Sequence, residues 1–372
     1  MIFWLEQNLV LPFFVDQVSV WNEKMLNTDT MKFKIGLLFL VLMNFGAVGL
    51  LAQSRDDGYI MTVNGRLEIN DMGKTLVHEH IVTNFNGTEN PNEPFEDQEI
   101  AIDLILPYLK YLKSLGYKTL FECTPSYIGK NVALLQALSK QSGIHIVTNT
   151  GYYAAVNKKY LPKHVYTESA EVLAERWYHE WQKGISDTGI HPGFIKLGVG
   201  AGALDSIEKK IVNAGMLMSQ RSGLTLAVHT GDGESIKSQS LMAMEHNFDL
   251  NKLIWVHAQN GTDEERISMA EKDIWVSLDG VNETKVEEYV AMIVKFKEHS
   301  LLHKLLVSHD DGWSVELAKG ELSLKLFGNG NTQPYRTITE VLEKRLYDIG
   351  FNKAQIDLIL IENPKRAMAI RD

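Results

Sequence analysis

Eight short apolar runs, separated by segments of helical periodicity, constrain the fold of this chain more than any other feature. The runs lie near residues 74–80, 118–123, 144–150, 193–198, 224–229, 253–257, 274–278 and 304–309. They are apolar nearly throughout, which is typical of parallel strands covered on both faces. The segments between them predict amphipathic helices over residues 100–115, 131–142, 171–184, 207–222, 263–272 and 285–299. Eight βα units in about 250 residues predict a single α/β domain, a closed (β/α)8 TIM barrel.

The first run ends in His78-Glu79-His80, a pattern that suits metal binding. Because alternate side chains of a strand share a face, His78 and His80 point to one side and Glu79 to the other. Two imidazoles on one rigid strand form a bidentate site for a borderline metal such as zinc. The spacing differs from H-E-x-x-H, which excludes the helical zinc-protease motif. Alone, the pattern is equally consistent with two solvent-facing histidines.

Residues that can bind metals recur at the ends of four later runs. Lys196 lies inside the fourth run, His229 and His257 end the fifth and sixth, and Asp310 closes the eighth. Active sites of (β/α)8 barrels are built at the carboxyl ends of the strands, so these side chains are expected to meet there. An open doubly wound sheet is the alternative fold, and it would not require ligand-type residues at five strand ends.

In these residues the chain resembles the phosphotriesterase family of the amidohydrolase superfamily. The likeness extends from about residue 60 to residue 371 and includes residues 75–81, 125–151, 195–196, 308–310 and 362–364. It implies a binuclear metal centre at the carboxyl face of the barrel. His78, His80 and Asp310 would hold one metal, His229 and His257 the other, and Lys196, as an N6-carboxylysine, would bridge them together with a hydroxide.

The residue types at this implied centre suit its chemistry. A lysine buried on a barrel strand is costly as an ammonium, and it usually loses its charge or finds an ion-pair partner. Carboxylation would convert Lys196 into an anion that two cations stabilise, whereas a structural ion pair is the alternative. Asp310 is the predicted catalytic residue, because it can receive the proton as hydroxide attacks. The two divalent ions are expected to be zinc, although manganese, cobalt or iron suit the same ligands.

Two aromatic residues are predicted to contact the substrate. Tyr153 falls where the family places an aromatic at the substrate, and Trp313 lies in residues 311–333, which are expected to form a lid over a modest hydrophobic ligand. The resemblance implies a small-molecule substrate with a phosphotriester, lactone or carboxylic ester bond. Amide hydrolysis and a non-catalytic, metal-loaded barrel that binds a ligand are the alternatives. The sequence has no G-x-S-x-G motif, which disfavours a serine hydrolase.

The composition agrees with a soluble enzyme that has one large core. Of the 372 residues, 45% are hydrophobic and 23% are charged, enough to bury the core of a single domain. The net charge of −10 disfavours nucleic acid and anionic membranes as partners. The single cysteine, Cys123, excludes an internal disulfide framework. A homodimer is expected from the family resemblance alone.

The amino terminus carries a separate signal. From Met31, two lysines precede an apolar run over residues 35–52, which is typical of an export signal. The run is slightly long for a cleaved signal, so a retained membrane anchor is the alternative. The predicted organisation is an upstream, non-native extension over residues 1–30, an export signal or anchor over 31–53, and a hydrolase barrel over 57–372. Translation is expected to begin at Met31, and the protein to be periplasmic or secreted.

Overall fold

The computed structural model describes residues 58–86, 98–318, 321–328 and 330–371 of the chain. The predicted upstream extension, the start at Met31 and the export signal lie outside the described residues, and they stay predictions. Within the described ranges, no helix combines the length and the apolar character needed to cross a membrane.

Eight parallel strands form a barrel, as predicted. They are β1 Lys74–Glu79, β2 Tyr117–Glu122, β3 His145–Val147, β4 Phe194–Val199, β5 Leu226–Thr230, β6 Leu253–Val256, β7 Trp275–Asp279 and β8 Leu305–Ser308. One ladder joins β1, β2 and β3, and a short continuation of β3, Asn149–Thr150, begins a second ladder that runs through β4 to β8. The interrupted strand β3 therefore links the two ladders into one curved sheet.

The ring closes at a seam between β8 and β1. The Asp310 amide donates to the His78 carbonyl at 3.1 Å, and the His78 amide donates to Ser308 Oγ at 3.0 Å. One bond is therefore a backbone bond, and the other uses a serine side chain in place of a carbonyl. The seam joins the first and last strands directly beside two of the predicted metal ligands.

Helices cover the outside of the barrel. They are α1 Gln98–Ser114, α2 Val132–Ser142, α3 Ala170–Lys183, α4 Ser206–Ser222, α5 Gly233–Glu245, α6 Asp263–Glu271 and α7 Val286–Glu298, followed after β8 by the helical segments Ile338–Leu342, Glu343–Asp348, Lys353–Asp357, Leu358–Glu362 and Asn363–Met368. Local sequence sets several ends: Asn131 caps α2, and Asp205 and Thr262 form capping boxes on α4 and α6. All six predicted helices are present, and α5 is an addition.

The two faces of each strand have different neighbours. Along β4, Phe194 belongs to the cluster that fills the barrel interior, whereas Ile195 and Leu197 pack in the layer between barrel and helices. Alternation therefore points Lys196 inward, on the same side as Phe194. Large inward side chains such as Phe121 and Trp275 fill the barrel interior, and a cavity lies above them at the carboxyl ends of the strands.

The segment after β8, which is predicted to form a lid, contains a β-hairpin. Its antiparallel strands are Gly312–Ala318 and Glu321–Phe327, and the first of them pairs in parallel with Val82–Thr83, just after β1. The sequence Trp-Ser-Val-Glu-Leu followed by Leu-Ser-Leu-Lys-Leu alternates apolar and polar residues with a period of two, which is the strand period. Ladder hydrogen bonds therefore tie this segment to the barrel.

Candidate metal centre

All six predicted metal ligands line one cavity at the carboxyl ends of the strands. The cavity has a volume of about 160 Å³, and its ligand-type lining residues are His78, His80, Lys196, His229, His257 and Asp310. His78 and His80 come from β1 and the residue after it, and the others come from four further strands: Lys196 lies inside β4, and His229, His257 and Asp310 lie at or just beyond the ends of β5, β6 and β8. The barrel topology thus brings together side chains that lie more than 200 residues apart in the chain, such as His78 and Asp310, as the pattern of strand ends predicts.

Asp310 lies at the centre of one group of ligands. Its Oδ1 is 3.1 Å from His80 Nε2 and 3.3 Å from His78 Nε2. Burial opposes ionisation of Asp310, but the hydrogen bonds and positive potential of these histidines outweigh it and hold the pKa of the carboxyl well below its usual range. Asp310 is therefore a carboxylate at neutral pH, the form that binds metals.

Two further histidines complete the ring of imidazoles. The ring centroids of His229 and His257 are 4.5 Å apart, and those of His257 and His78 are 4.8 Å apart. Burial, aided by neighbouring positive groups, lowers the pKa of His229 to about 3 and that of His257 well below its usual value. Both rings are therefore neutral near pH 7, as ligation of a cation requires.

Lys196 lies between these two groups and has little to neutralise an ammonium. It is 2% exposed, and its Nζ makes one long hydrogen bond, to the Leu197 carbonyl at 3.4 Å. No carboxylate among the described residues forms an ion pair with it, and burial lowers the pKa of its amine. The geometry therefore does not support a structural ion pair at Lys196.

Two of the ligands adopt a backbone conformation that non-glycine residues rarely use. His257 and Asp310 have φ angles of 62° and 60°, in the left-handed region. Each amide makes a specific bond: that of His257 donates to Asp279 Oδ2 at 3.0 Å, and that of Asp310 donates to the His78 carbonyl. Such strained conformations concentrate at functional sites, where the surrounding structure compensates for them.

Glu122 and Thr124, which the sequence analysis did not single out, orient His80. Thr124 Oγ1 lies 2.8 Å from His80 Nδ1 and donates its hydrogen to Glu122 Oε1. Since a hydroxyl has one hydrogen, Thr124 must accept from His80 Nδ1–H. In the neutral form of His80, this proton on Nδ1 leaves a lone pair on Nε2, the nitrogen that faces Asp310. Polar residues at the end of β2 were the sequence signal for this pair.

Glu79 lies on the face of β1 that points away from the predicted metal ligands, and it stabilises the seam by hydrogen bonds to residues at the end of β8 and just after it. It accepts hydrogen bonds from Ser308 Oγ at 2.7 Å, from His309 Nδ1 at 2.9 Å and from the amides of His309 and Asp311 at 2.9 Å each. The Ile338 amide donates to His309 Nε2 at 3.1 Å, so the His309 proton is on Nδ1. Burial raises the pKa of Glu79 to about 8 despite these bonds. Glu79 and His309 thus face away from the cavity, as strand alternation predicts.

The structure places the two predicted substrate contacts in different surroundings. Tyr153 lines the cavity, with its ring 5.0 Å from that of His229. Trp313, in contrast, is 2% exposed, packs between the rings of Tyr108 and Tyr335 and is absent from the cavity wall. Hairpin alternation directs Trp313 into the core, so the geometry does not place it at the substrate.

Phe327, from the second strand of the hairpin, occupies the wall instead. Its ring lies 5.6 Å from the rings of both His80 and Phe85. The other side chains of the wall are mostly apolar, namely Thr83, Phe85, Cys123, Pro125, Ile128, Val156 and Tyr160. Apart from the histidines, Lys196 is the one basic side chain among the described lining residues. Away from its ligand-type side chains, the wall of the cavity is therefore largely apolar.

Comparisons with known proteins agree with this geometry. The phosphotriesterase family profile matches residues 58–368. The phosphotriesterase homology protein of Escherichia coli (strain K12) is 26% identical over 79% of this chain and 97% of its own length. The aryldialkylphosphatase of Saccharolobus solfataricus is 23% identical over 81% of this chain and 96% of its own. The N-acetyltaurine hydrolase of Danio rerio is 22% identical over 84% and 99%.

The fold is likewise that of a solved relative. The organophosphorus hydrolase from Deinococcus radiodurans superposes with a TM-score of 0.72 at 21% identity, over 83% of this chain and 96% of that one. The family match spans nearly the whole described barrel, including every strand that contributes to the cavity. The chain therefore belongs to the phosphotriesterase family of hydrolases.

Proposed function

We propose that this chain is a binuclear metal-dependent hydrolase that cleaves a small, uncharged ester: a carboxylic ester, a lactone or a phosphotriester. The observation that carries the proposal is the convergence of four histidines, an aspartate and an unpaired buried lysine on one cavity. No other chemistry makes equal use of this set of side chains, since imidazole, carboxylate and carbamate are all ligands for zinc and similar ions.

The geometry around Asp310 supports a cation at this place. His80 donates through Nδ1 to Thr124, so once Nε2 has lost its proton, the lone pair of that nitrogen faces an Asp310 carboxylate oxygen at 3.1 Å. Two acceptors at this distance repel each other unless a proton or a cation lies beside them. His78 Nε2 approaches the same oxygen at 3.3 Å. Three ligand atoms thus converge on one point, which fits a divalent ion.

Lys196 fits the space between this group and the pair His229 and His257. Burial favours the neutral, nucleophilic form of its amine, and that form can combine with carbon dioxide, with release of one proton, to give an anionic N6-carboxylysine. Two divalent ions held by these residues would supply an activated water and polarise the oxygen of the scissile bond. The carbamate would offset part of their positive charge and keep them close together.

Within such a centre, the side chains of the protein have separate roles in proton transfer and in substrate binding. Asp310 accepts at its carboxylate the proton that the attacking water loses, and it passes that proton to the leaving group. The apolar wall formed by Phe85, Ile128 and Phe327 excludes bulk water and holds the uncharged part of the substrate. Tyr153 faces the same space, with its hydroxyl available to the bound substrate.

The nature of the scissile bond is the part of the proposal that a substrate panel tests. The amide hydrolases among the relatives make an amide the second candidate. We expect the zinc-loaded barrel to have a higher kcat/KM on matched neutral lactones, aryl carboxylic esters and aryl phosphotriesters than on N-acyl amino acids. Higher kcat/KM on the anionic N-acyl compounds would assign the chain to amide hydrolysis. Inactivity on all of them, with two metals bound, would favour a non-catalytic ligand-binding barrel.

Replacing Tyr153 by phenylalanine tests the predicted substrate contact. Loss of one hydroxyl that bonds the substrate is expected to raise KM about fivefold, since a net hydrogen bond contributes about 1 kcal/mol. Zinc content should stay at the wild-type value, because the ring still packs against His229. Tyr152→Phe is the matched control: its hydroxyl lies 3.1 Å from His164 Nε2, outside the cavity wall. Equal effects of the two substitutions on KM would argue against the contact.

A further inference from the structure

Asp279, at the carboxyl end of β7, lies beneath two of the metal-binding histidines. Its side chain is fully buried, and its Oδ2 is 3.6 Å from His78 Nδ1 and 3.8 Å from His257 Nδ1. The same oxygen accepts the amide of His257 at 3.0 Å. Thus one carboxylate oxygen faces two imidazoles from different strands of the barrel, one on β1 and the other just after β6.

One ring nitrogen of His78 lacks a hydrogen-bond partner in the described structure, and this nitrogen faces Asp279. His78 Nε2 faces Asp310, so Nδ1 is the nitrogen directed at Asp279. This Nδ1 is buried and has no hydrogen-bond partner in the described structure. When Nε2 of a histidine binds a cation, its proton resides on Nδ1, and that proton requires an acceptor. Asp279 Oδ2 lies just beyond hydrogen-bond distance from it.

The surroundings of Asp279 hold its carboxylate in a fixed orientation. Ser277 Oγ donates to the other oxygen, Oδ1, at 2.7 Å. The Gln259 side chain accepts the Asp279 amide at 3.1 Å and donates to the Asp279 carbonyl, and the Tyr289 hydroxyl donates to the same carbonyl at 3.2 Å. Because the backbone of Asp279 and both oxygens of its carboxylate are held by hydrogen bonds, this side chain can determine how the neighbouring imidazoles orient.

We propose that Asp279 is a positioning residue shared by both metal sites. It accepts Nδ1–H of His78, whose Nε2 serves one ion, and it fixes His257, which serves the other. The inference rests on the binuclear centre proposed above. It has a specific consequence, because one substitution at Asp279 weakens both sites together. Thr124 differs in this respect, since His80 is the one proposed metal ligand with which it is seen to hydrogen-bond among the described residues, and it therefore acts on one site.

Zinc affinity of the metal-free barrel tests this assignment without reference to activity. Zinc is titrated against a chromophoric chelator into wild type, Asp279→Asn and Thr124→Val. Removal of a histidine's outer hydrogen-bond partner usually costs about 10–100-fold in metal affinity. We expect Asp279→Asn to weaken both zinc ions by that factor, and Thr124→Val to weaken one of the two. Far-ultraviolet circular dichroism and the Tm of the metal-free proteins check that the folds match.

The possible outcomes separate this inference from the proposed function. Two zinc ions in wild type, with unchanged affinities or a single weakened site in Asp279→Asn, would overturn the role of Asp279 alone. Fewer than two zinc ions in wild type would overturn the binuclear function and the inference with it. If Asp279→Asn does not fold, Ser277→Ala replaces it, because that variant frees the carboxylate without removing it. A smaller loss shared by both ions is then expected, and a loss at one ion or none contradicts the proposal.

Discussion

Asp310→Asn is expected to lower kcat by roughly 10²–10⁴-fold, the range that a positioned proton acceptor contributes. The amide keeps the shape of the carboxylate and the backbone bond to His78, so the barrel should fold as before. It cannot take a proton from the attacking water at neutral pH. The measurements are kcat on the best substrate of the panel, zinc content per chain and circular dichroism of the purified variant.

A surface aspartate provides the control for Asp310→Asn. Asp205 caps α4 with its side chain, and asparagine is an equally good helix cap, so Asp205→Asn should keep the wild-type kcat. If Asp310→Asn retains wild-type kcat with both metals bound, Asp310 is not the proton acceptor. If it loses the metals together with activity, the experiment shows a ligand role only, and the assignment as proton acceptor fails.

Lys196→Met is expected to abolish both the binuclear centre and turnover. Methionine fills a similar volume but cannot form a carbamate, so at least one zinc ion should be lost. Metal activation of water and substrate supplies several kcal/mol of barrier reduction, which corresponds to about 10³-fold or more in kcat. Zinc content and kcat measure the loss. Reconstitution of the metal-free wild type with carbon-13-labelled bicarbonate should give a carbamate signal in the NMR spectrum, which the variant lacks.

Lys304→Met is the matched control for Lys196→Met. Lys304 is also buried, but it lies just before β8, where it pairs with Asp273 and bonds the Asn251 side chain. Its replacement should lower Tm and leave zinc stoichiometry at two. Loss of zinc in both lysine variants would mean that a destabilised barrel, rather than a missing bridge, explains the effect. A fully active Lys196→Met would refute the carboxylysine.

Much of the fold and of the candidate metal-binding cavity could be predicted from sequence because both follow from one rule. Parallel strands buried on both faces are continuous apolar runs, so a polar residue at the end of such a run is conspicuous. His229 and His257 could be identified from the sequence for this reason. Lys196 could be identified because a charged residue inside an apolar run is energetically costly. The barrel topology then places the carboxyl ends of all the strands on one face, so these side chains come together without any further signal in the sequence.

The parts that sequence did not predict depend on weaker or longer-range signals. The buried face of α5 includes Ser235, Gln239 and Ser240, so its apolar periodicity is slight. The prediction that Trp313 contacts the substrate treated residues 311–333 as a loop. The alternation of apolar and polar residues in that segment already indicates a hairpin. The roles of Thr124 and Asp279 depend on which side-chain atoms face each other across the barrel, and no pattern along a single strand contains that information.

The seam between β8 and β1 links the metal centre to the completion of folding. His78 and Ser308 are 230 positions apart in the chain, so joining their strands carries the entropic cost of closing a very long loop. An ion held by both His78 and Asp310 would bind only the closed ring, and it would stabilise that state by mass action. Occupancy of the centre and docking of the last strand then become one equilibrium. An incompletely folded chain, lacking that strand, could neither retain the ion nor hydrolyse anything, so activity would appear only when folding is finished.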